Sequence, residues 1–179
     1  MKNLLYILML VGLITHAQDK YITKTGIVNF EASVPSFEEV SGINNSVTAI
    51  VNTKTNAFAA LVLVKGFRFK NALMEEHFNE NYAESHLYPK ATFKGNISEI
   101  SLKESKSGEY EIDGDLTFHG ITKSIKNIPL KVTFNKDSII FEGKFSVKAS
   151  DYEIKIPNIV KNKVSEVVKV NFTFNLSQN

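Results

Sequence analysis

The chain has 179 residues, 43% of them hydrophobic, with no cysteine and no tryptophan. Zero cysteine excludes disulfides and thiolate metal sites, and a net charge of only +2 provides no field for nucleic acid. Arg68 is the sole arginine, so the planar guanidinium that reads phosphates and base edges is nearly missing.

The chain opens MKNLLYILMLVGLITHAQDK, with Lys2 the only charge before Asp19. The apolar run at 4–14 is short for a bilayer span, and Thr15-His16-Ala17 supplies small residues at a cleavage position. This predicts a signal peptide over 1–17, cut after Ala17, and a periplasmic or secreted product without a membrane span. Residues 18–179 then form a single domain of ~160 residues, long enough for a sizeable core.

Alternation with a period of two recurs from there to the end, as half-buried antiparallel strands require. Strands are predicted at 20–34, 46–52, 57–66, 90–102, 109–118, 121–134, 138–149 and 165–177. In the first, Val28, Phe30, Ala32 and Val34 alternate with polar residues; in the last, Val168, Val170, Phe172, Phe174 and Leu176 do so. Turn residues separate them at 53–56, 105–108 and 135–138, and His119-Gly120 predicts a two-residue hairpin. The apolar face changes parity between Ile97 and Ile100, which predicts a β-bulge near Ser98-Glu99. Eight amphipathic strands make a sandwich or a barrel; long hairpin-linked strands favour a closed or nearly closed eight-stranded antiparallel barrel, all-β in class.

One helix interrupts the strands, at 71–82, with Asn71 as its N-cap and Glu75-Glu76 in its first turn. Met74, Phe78 and Tyr82 form its apolar stripe. The surrounding segment, Phe67 to Gly95, carries Phe67, Phe69, Phe78, Tyr82, Tyr88 and Phe93 among Glu, Asn and His. A polar surface connection would not be so aromatic, and the helix with its Tyr88-Pro89 turn is expected to frame one barrel end. Residues 150–164, with Pro157 and weak alternation, read as a long loop over a barrel end.

Three segments together resemble the YceI-like family of exported, lipocalin-like, polyisoprenoid-binding barrels. EHFNENYAESHLYPKATFKG is similar to that family's helix, Tyr-Pro turn and following strand. GDLTFHGITKS, Gly114 to Ser124, is similar to its hairpin, and Phe145 to Ile154 contains the comparable Asp151-Tyr152 step. The chain departs from the family in lacking a His on its first mature strand and in starting the helix with Leu73-Met74-Glu75-Glu76. The resemblance covers about 20–177 and implies a barrel that binds a long apolar lipid of isoprenoid or quinone type.

The residues agree with that implication on their own account. Thirteen phenylalanines fall mostly on apolar strand faces that converge in a barrel, and an apolar tunnel suits an extended hydrocarbon. The candidate ligand-binding residues are Phe30, Phe58, Val62, Phe69, Met74, Phe78, Tyr82, Phe93, Phe118, Phe141, Phe145, Phe172 and Phe174. The same side chains would serve equally to fill a solid core of a structural or protein-interaction domain. Small inward residues (Gly114, Gly143, Ala32, Ala60) favour the hollow alternative as under-filled positions.

Other chemistry is weakly supported. Glu76, His77, Glu80, Glu84 and His86 cluster as metal-type ligands, but acids early in a helix ordinarily complement its dipole, so no metal and no cofactor is expected. His119 lies near Asp115 and Ser124 in sequence, yet a hairpin-tip histidine is ordinarily solvated, and no catalytic residue is assigned. Nucleophile elbows, P-loops and paired carboxylates are missing from the sequence. An enzyme acting on a lipid is the third alternative, and a homodimer is left open.

Overall fold

The computed structural model describes residues 19–35, 37–98 and 102–178. The expected signal peptide lies outside them, as does Glu99, half of the expected bulge at Ser98-Glu99. Nine strands follow in order: β1 (Lys20–Ser33), β2 (Ser41–Asn52), β3 (Ala57–Leu63), β4 (Arg68–Phe69), β5 (Lys90–Ser98), β6 (Gly108–Phe118), β7 (Ile121–Phe134), β8 (Ser138–Lys148) and β9 (Val164–Gln178). One helical segment, α1 (Ala72–His77), continues as a single π-type turn, Phe78–Tyr82.

Every pairing is antiparallel, and β1 pairs with both β2 and β9. Eight strands therefore close into a barrel in the order β1-β2-β3-β5-β6-β7-β8-β9. The two-residue β4 adds to β2 beyond the ring, through Gly42↔Phe69 and Ile43↔Arg68. Closure removes free edges, which the long alternating strands need if their backbone groups are to stay paired.

Two irregularities bend the wall. Register shifts in β1 flank Gly26, and one between Ile112 and Gly114 breaks the β6–β7 ladder. Opposite that second break, Asn127 takes φ +55°, donates its backbone N–H to Asp113 Oδ1 at 2.6 Å and its side-chain amide to Glu111 Oε2. An asparagine tolerates this left-handed backbone where a branched residue would not. The β6–β7 connection is the expected two-residue hairpin, with positive φ at both His119 and Gly120, as a primed turn demands.

Three boundaries differ from the sequence reading. β2 begins at Ser41, five residues before the predicted start. The pair Asn44-Asn45 looks like a turn, but Asn44 is buried, donates to the Leu63 carbonyl at 3.0 Å and accepts from Ser46 N, so its amide is satisfied inside the wall. β3 ends at Leu63, where a tight turn over Val64–Gly66 takes over. Leu102 is not in a strand; it sits on a 3-10 turn and is buried against the barrel end.

The glycine reading is also corrected. Gly114 and Gly143 are not under-filled, because the rings of Phe93 and Phe172 respectively stand where their side chains would go. Bulk is supplied by an aromatic ring of the neighbouring strand instead of being missing.

The interior divides in two. At the end that carries the 53–56 and 135–137 turns, Val47, Val51, Ile97, Leu102, Val132, Ile139 and Leu176 pack at 0–1% exposure. That half is solid. The other half, facing the helical segment and the β8–β9 connection, is hollow.

Candidate functional site

The hollow is a cavity of about 380 Å³. All thirteen candidate residues line it. Phe58, Phe141 and Phe174 form the floor, each at 5% exposure or less, with ring centroids of Phe58 lying 5.7 Å from Phe141 and 5.6 Å from Phe174. Phe93, Phe145, Phe172 and Val62 stand in the walls. Phe30, Phe69, Met74, Phe78, Tyr82 and Phe118 line the upper part towards the mouth.

Four of the rings make a cluster that holds the helix on the barrel. Phe78 lies 5.2 Å from Phe30, 5.6 Å from Phe67 and 5.1 Å from Phe69, centroid to centroid. Such tilted and edge contacts add to area burial. Phe67 is buried and belongs to the cavity wall, yet stands outside the predicted site; its place among the aromatics of 67–95 was the available clue.

The helix start is fixed by hydrogen bonds. The Asn71 side chain caps it by accepting from Leu73 N at 2.9 Å. Glu75 does more than complement the dipole: its carboxylate accepts from Arg68 Nη1 at 3.0 Å and from Phe69 N at 3.2 Å. The one arginine of the chain thus clasps β4 to α1. At the other end Ala83 N donates to the Phe78 carbonyl, the wide turn that brings both Phe78 and Tyr82 onto the cavity side.

His119 is not solvated. Its side chain is 11% exposed, its Nε2 meets Glu84 Oε2 at 2.7 Å, its Nδ1 meets the Tyr152 carbonyl at 2.9 Å, and the Tyr88 ring packs at 4.5 Å. The partners come from sequence positions over thirty residues away, which strand spacing around Asp115 and Ser124 does not reveal. Both ring nitrogens are occupied, so His119 ties the 84–88 loop, the β6–β7 hairpin and the β8–β9 connection together at the barrel rim.

That connection contributes lining the sequence did not assign. Tyr152, Ile154, Ile156 and Val160 all border the cavity; the alternation of Ile154 and Ile156 around Lys155 was the signal. Ser150 N donates to Glu166 Oε1 at 2.9 Å, and hydrogen bonding from the Ser150 side chain first, then from its backbone, holds the Glu166 carboxyl below its ordinary range. Tyr152 is buried, which pushes its phenol up to about 12, with Asp151 adding to the effect; its hydroxyl has no hydrogen-bond partner.

Charge is confined to the mouth, where Glu38, His77, Lys148 and Lys163 border the opening. His77 is exposed there. Among the described residues no three His, Asp or Glu side chains converge as a metal site, and no helix is long and apolar enough to cross a membrane. The arrangement can take up an apolar body.

Solved structures share the architecture. A polyisoprenoid binding domain from Saccharophagus degradans superposes with a TM-score of 0.77 at 15% identity, covering 90% of this chain and 99% of that one. Burkholderia cenocepacia BcnA gives 0.71 at 18% identity, covering 85% and 96%. The Campylobacter jejuni YceI protein gives 0.65 at 15% identity, covering 82% and 89%. At these identities the likeness is one of fold. No curated protein sequence matches the chain. The profile of the YceI-like domain matches residues 21–176, nearly the whole barrel, and the chain belongs to the YceI-like domain family.

Proposed function

We propose that this protein is an exported carrier or sequestering protein for a long apolar lipid of isoprenoid or quinone type, and that it performs no chemistry on its ligand. The observation that carries this reading is the cavity: thirteen apolar or aromatic side chains from the strand faces, the helix stripe and the segment around it surround one 380 Å³ hollow, within the size range of small-molecule sites. A polyisoprenoid binding domain of the same fold supports the ligand class. Binding would draw on apolar burial, worth about 25 cal/mol per Å², in a site already formed. The occupied nitrogens of His119 support a purely binding role.

The signal-like opening supports export to the periplasm or beyond. The decisive experiment is native mass spectrometry of the protein purified from its own host, followed by organic extraction. A co-purifying apolar lipid of defined mass is expected. A ligand-free mass, together with no uptake of any prenyl probe at micromolar concentration, would overturn the reading. Peptide mapping of the mature protein should begin after Ala17; retention of 4–14 would refute export by cleavage.

A further inference from the structure

We propose that the solid half of the barrel is a chain-length stop: the cavity shelters about three prenyl units and excludes the rest of a longer tail. This inference rests on the apolar-ligand reading and adds a specificity to it.

The floor is closed two layers deep. Phe58, Phe141 and Phe174 form the upper layer and border the hollow. Beneath them Val51, Ile139 and Leu176 are 0–1% exposed and no longer border it. A tail therefore cannot thread the barrel from end to end; it must stop at the aromatic layer.

Two strands give the same depth. The outermost and innermost inward-facing lining residues are six positions apart on β6 (Phe118 to Ile112) and on β8 (Val147 to Phe141), while on β9 the lining runs on past Val168 to Val164 at the mouth. Six residues run about 20 Å along a strand, and a strand tilt of about 40° reduces this to roughly 15 Å along the barrel axis. An extended chain advances about 1.2 Å per bond, by analogy with a stretched backbone. The hollow thus holds a dozen or so chain bonds, which is about three prenyl units at four bonds each. Units beyond the third lie at or outside the mouth, where Glu38, His77, Lys148 and Lys163 stand and little apolar surface is gained.

The test is competition of geraniol, farnesol, geranylgeraniol and geranylfarnesol against a bound apolar dye, on the delipidated mature protein. Affinity should rise about tenfold or more from geraniol to farnesol, since each buried methylene contributes, and less than about threefold per unit beyond farnesol. Two variants of lining residues should move the break in opposite directions. Phe58→Ala deepens the hollow and should shift it towards longer chains; Ala60→Leu fills it and should shift it towards shorter ones. Cooperative melting of each variant establishes that it is folded, and Phe58→Leu replaces Phe58→Ala if the latter is not. Affinity that keeps climbing with every added unit in the wild type would overturn the stop while leaving lipid binding intact. So would a break that stays in place in both folded variants. Failure of every alcohol to bind would overturn the lipid-binding reading itself, and the stop with it.

Discussion

The ring of Phe172 fills the space above Gly143, its cross-strand partner on β8. The device recurs: Phe93 covers Gly95 and Gly114, Phe174 covers Gly26, and Phe30 with Phe69 covers Gly42. A strand glycine gives up side-chain packing, and a neighbouring aromatic restores it while the wall keeps its curvature. Gly143→Ala should therefore cost about 1–3 kcal/mol, because the new methyl meets the Phe172 ring and the Pro129 carbonyl oxygen. Denaturant midpoints would measure this. Combining it with Phe172→Leu should recover part of the loss, as coupled neighbours do, and additive losses would show that the ring is not the obstacle.

His119 offers a second test. His119→Asn retains a residue that tolerates the φ of +49° but removes the links to Glu84 and the Tyr152 carbonyl. Because Glu84 is 39% exposed, the contact between the two side chains itself contributes less than about 1 kcal/mol. The effect should be local: faster amide hydrogen exchange at Leu87 and Tyr88, whose N–H groups bond to the Glu84 carbonyl, and faster ligand exchange. Unchanged protection at both amides would show that the loop is held by other contacts.

The strands were legible because alternation is a local property: seven of the eight predicted barrel strands overlap their observed spans almost completely, and only β2 was badly truncated. Asn71 as N-cap and His119-Gly120 as a turn were legible for the same reason. The choice between hollow and solid was not, since Phe141 and Phe145 occupy equivalent alternating positions on β8 while one forms the floor over the plug and the other stands in the cavity wall. That difference depends on depth along the barrel, which is set by distant elements such as the Leu102 turn. His119 was misread because its partners, Glu84 and Tyr152, are close only after the barrel has closed.

Tyr152 predicts the alkaline behaviour. Its phenol stands at about 12 in the fold against about 10 in an unfolded chain. Between those values the unfolded state has lost its proton and the folded state still holds it, so stability falls as pH rises from 10 to 12 and is unaffected by this group below 10. Tyr152→Phe should flatten that part of the stability profile. It should also be neutral or slightly stabilising at pH 7, because the buried hydroxyl has no partner to lose. An alkaline profile that stays as steep in the variant would assign the effect elsewhere.

The two halves of the barrel make opposite predictions for a single type of substitution on one strand. Phe141 is fully buried, packed against Phe58 at 5.7 Å and above the solid plug. Its truncation to alanine removes the contacts to the neighbouring floor ring and to the packed layer beneath it, and Phe141→Ala should cost about 3–5 kcal/mol. Phe145 lies four residues nearer the mouth, only partly buried, with one side against Phe172 at 6.5 Å and the other towards the hollow. The wall there already faces space, so Phe145→Ala deletes fewer contacts and should cost well under half as much. Affinity for a prenyl probe should run the other way. Phe145→Ala removes ring surface that would lie along the bound chain, and a loss of about tenfold corresponds to 1.4 kcal/mol of contact. Paired denaturant melts and probe titrations on the two variants check both orders together. Equal stability losses would mean that the upper half is packed as tightly as the lower, and an undiminished affinity in Phe145→Ala would move the ligand away from this wall.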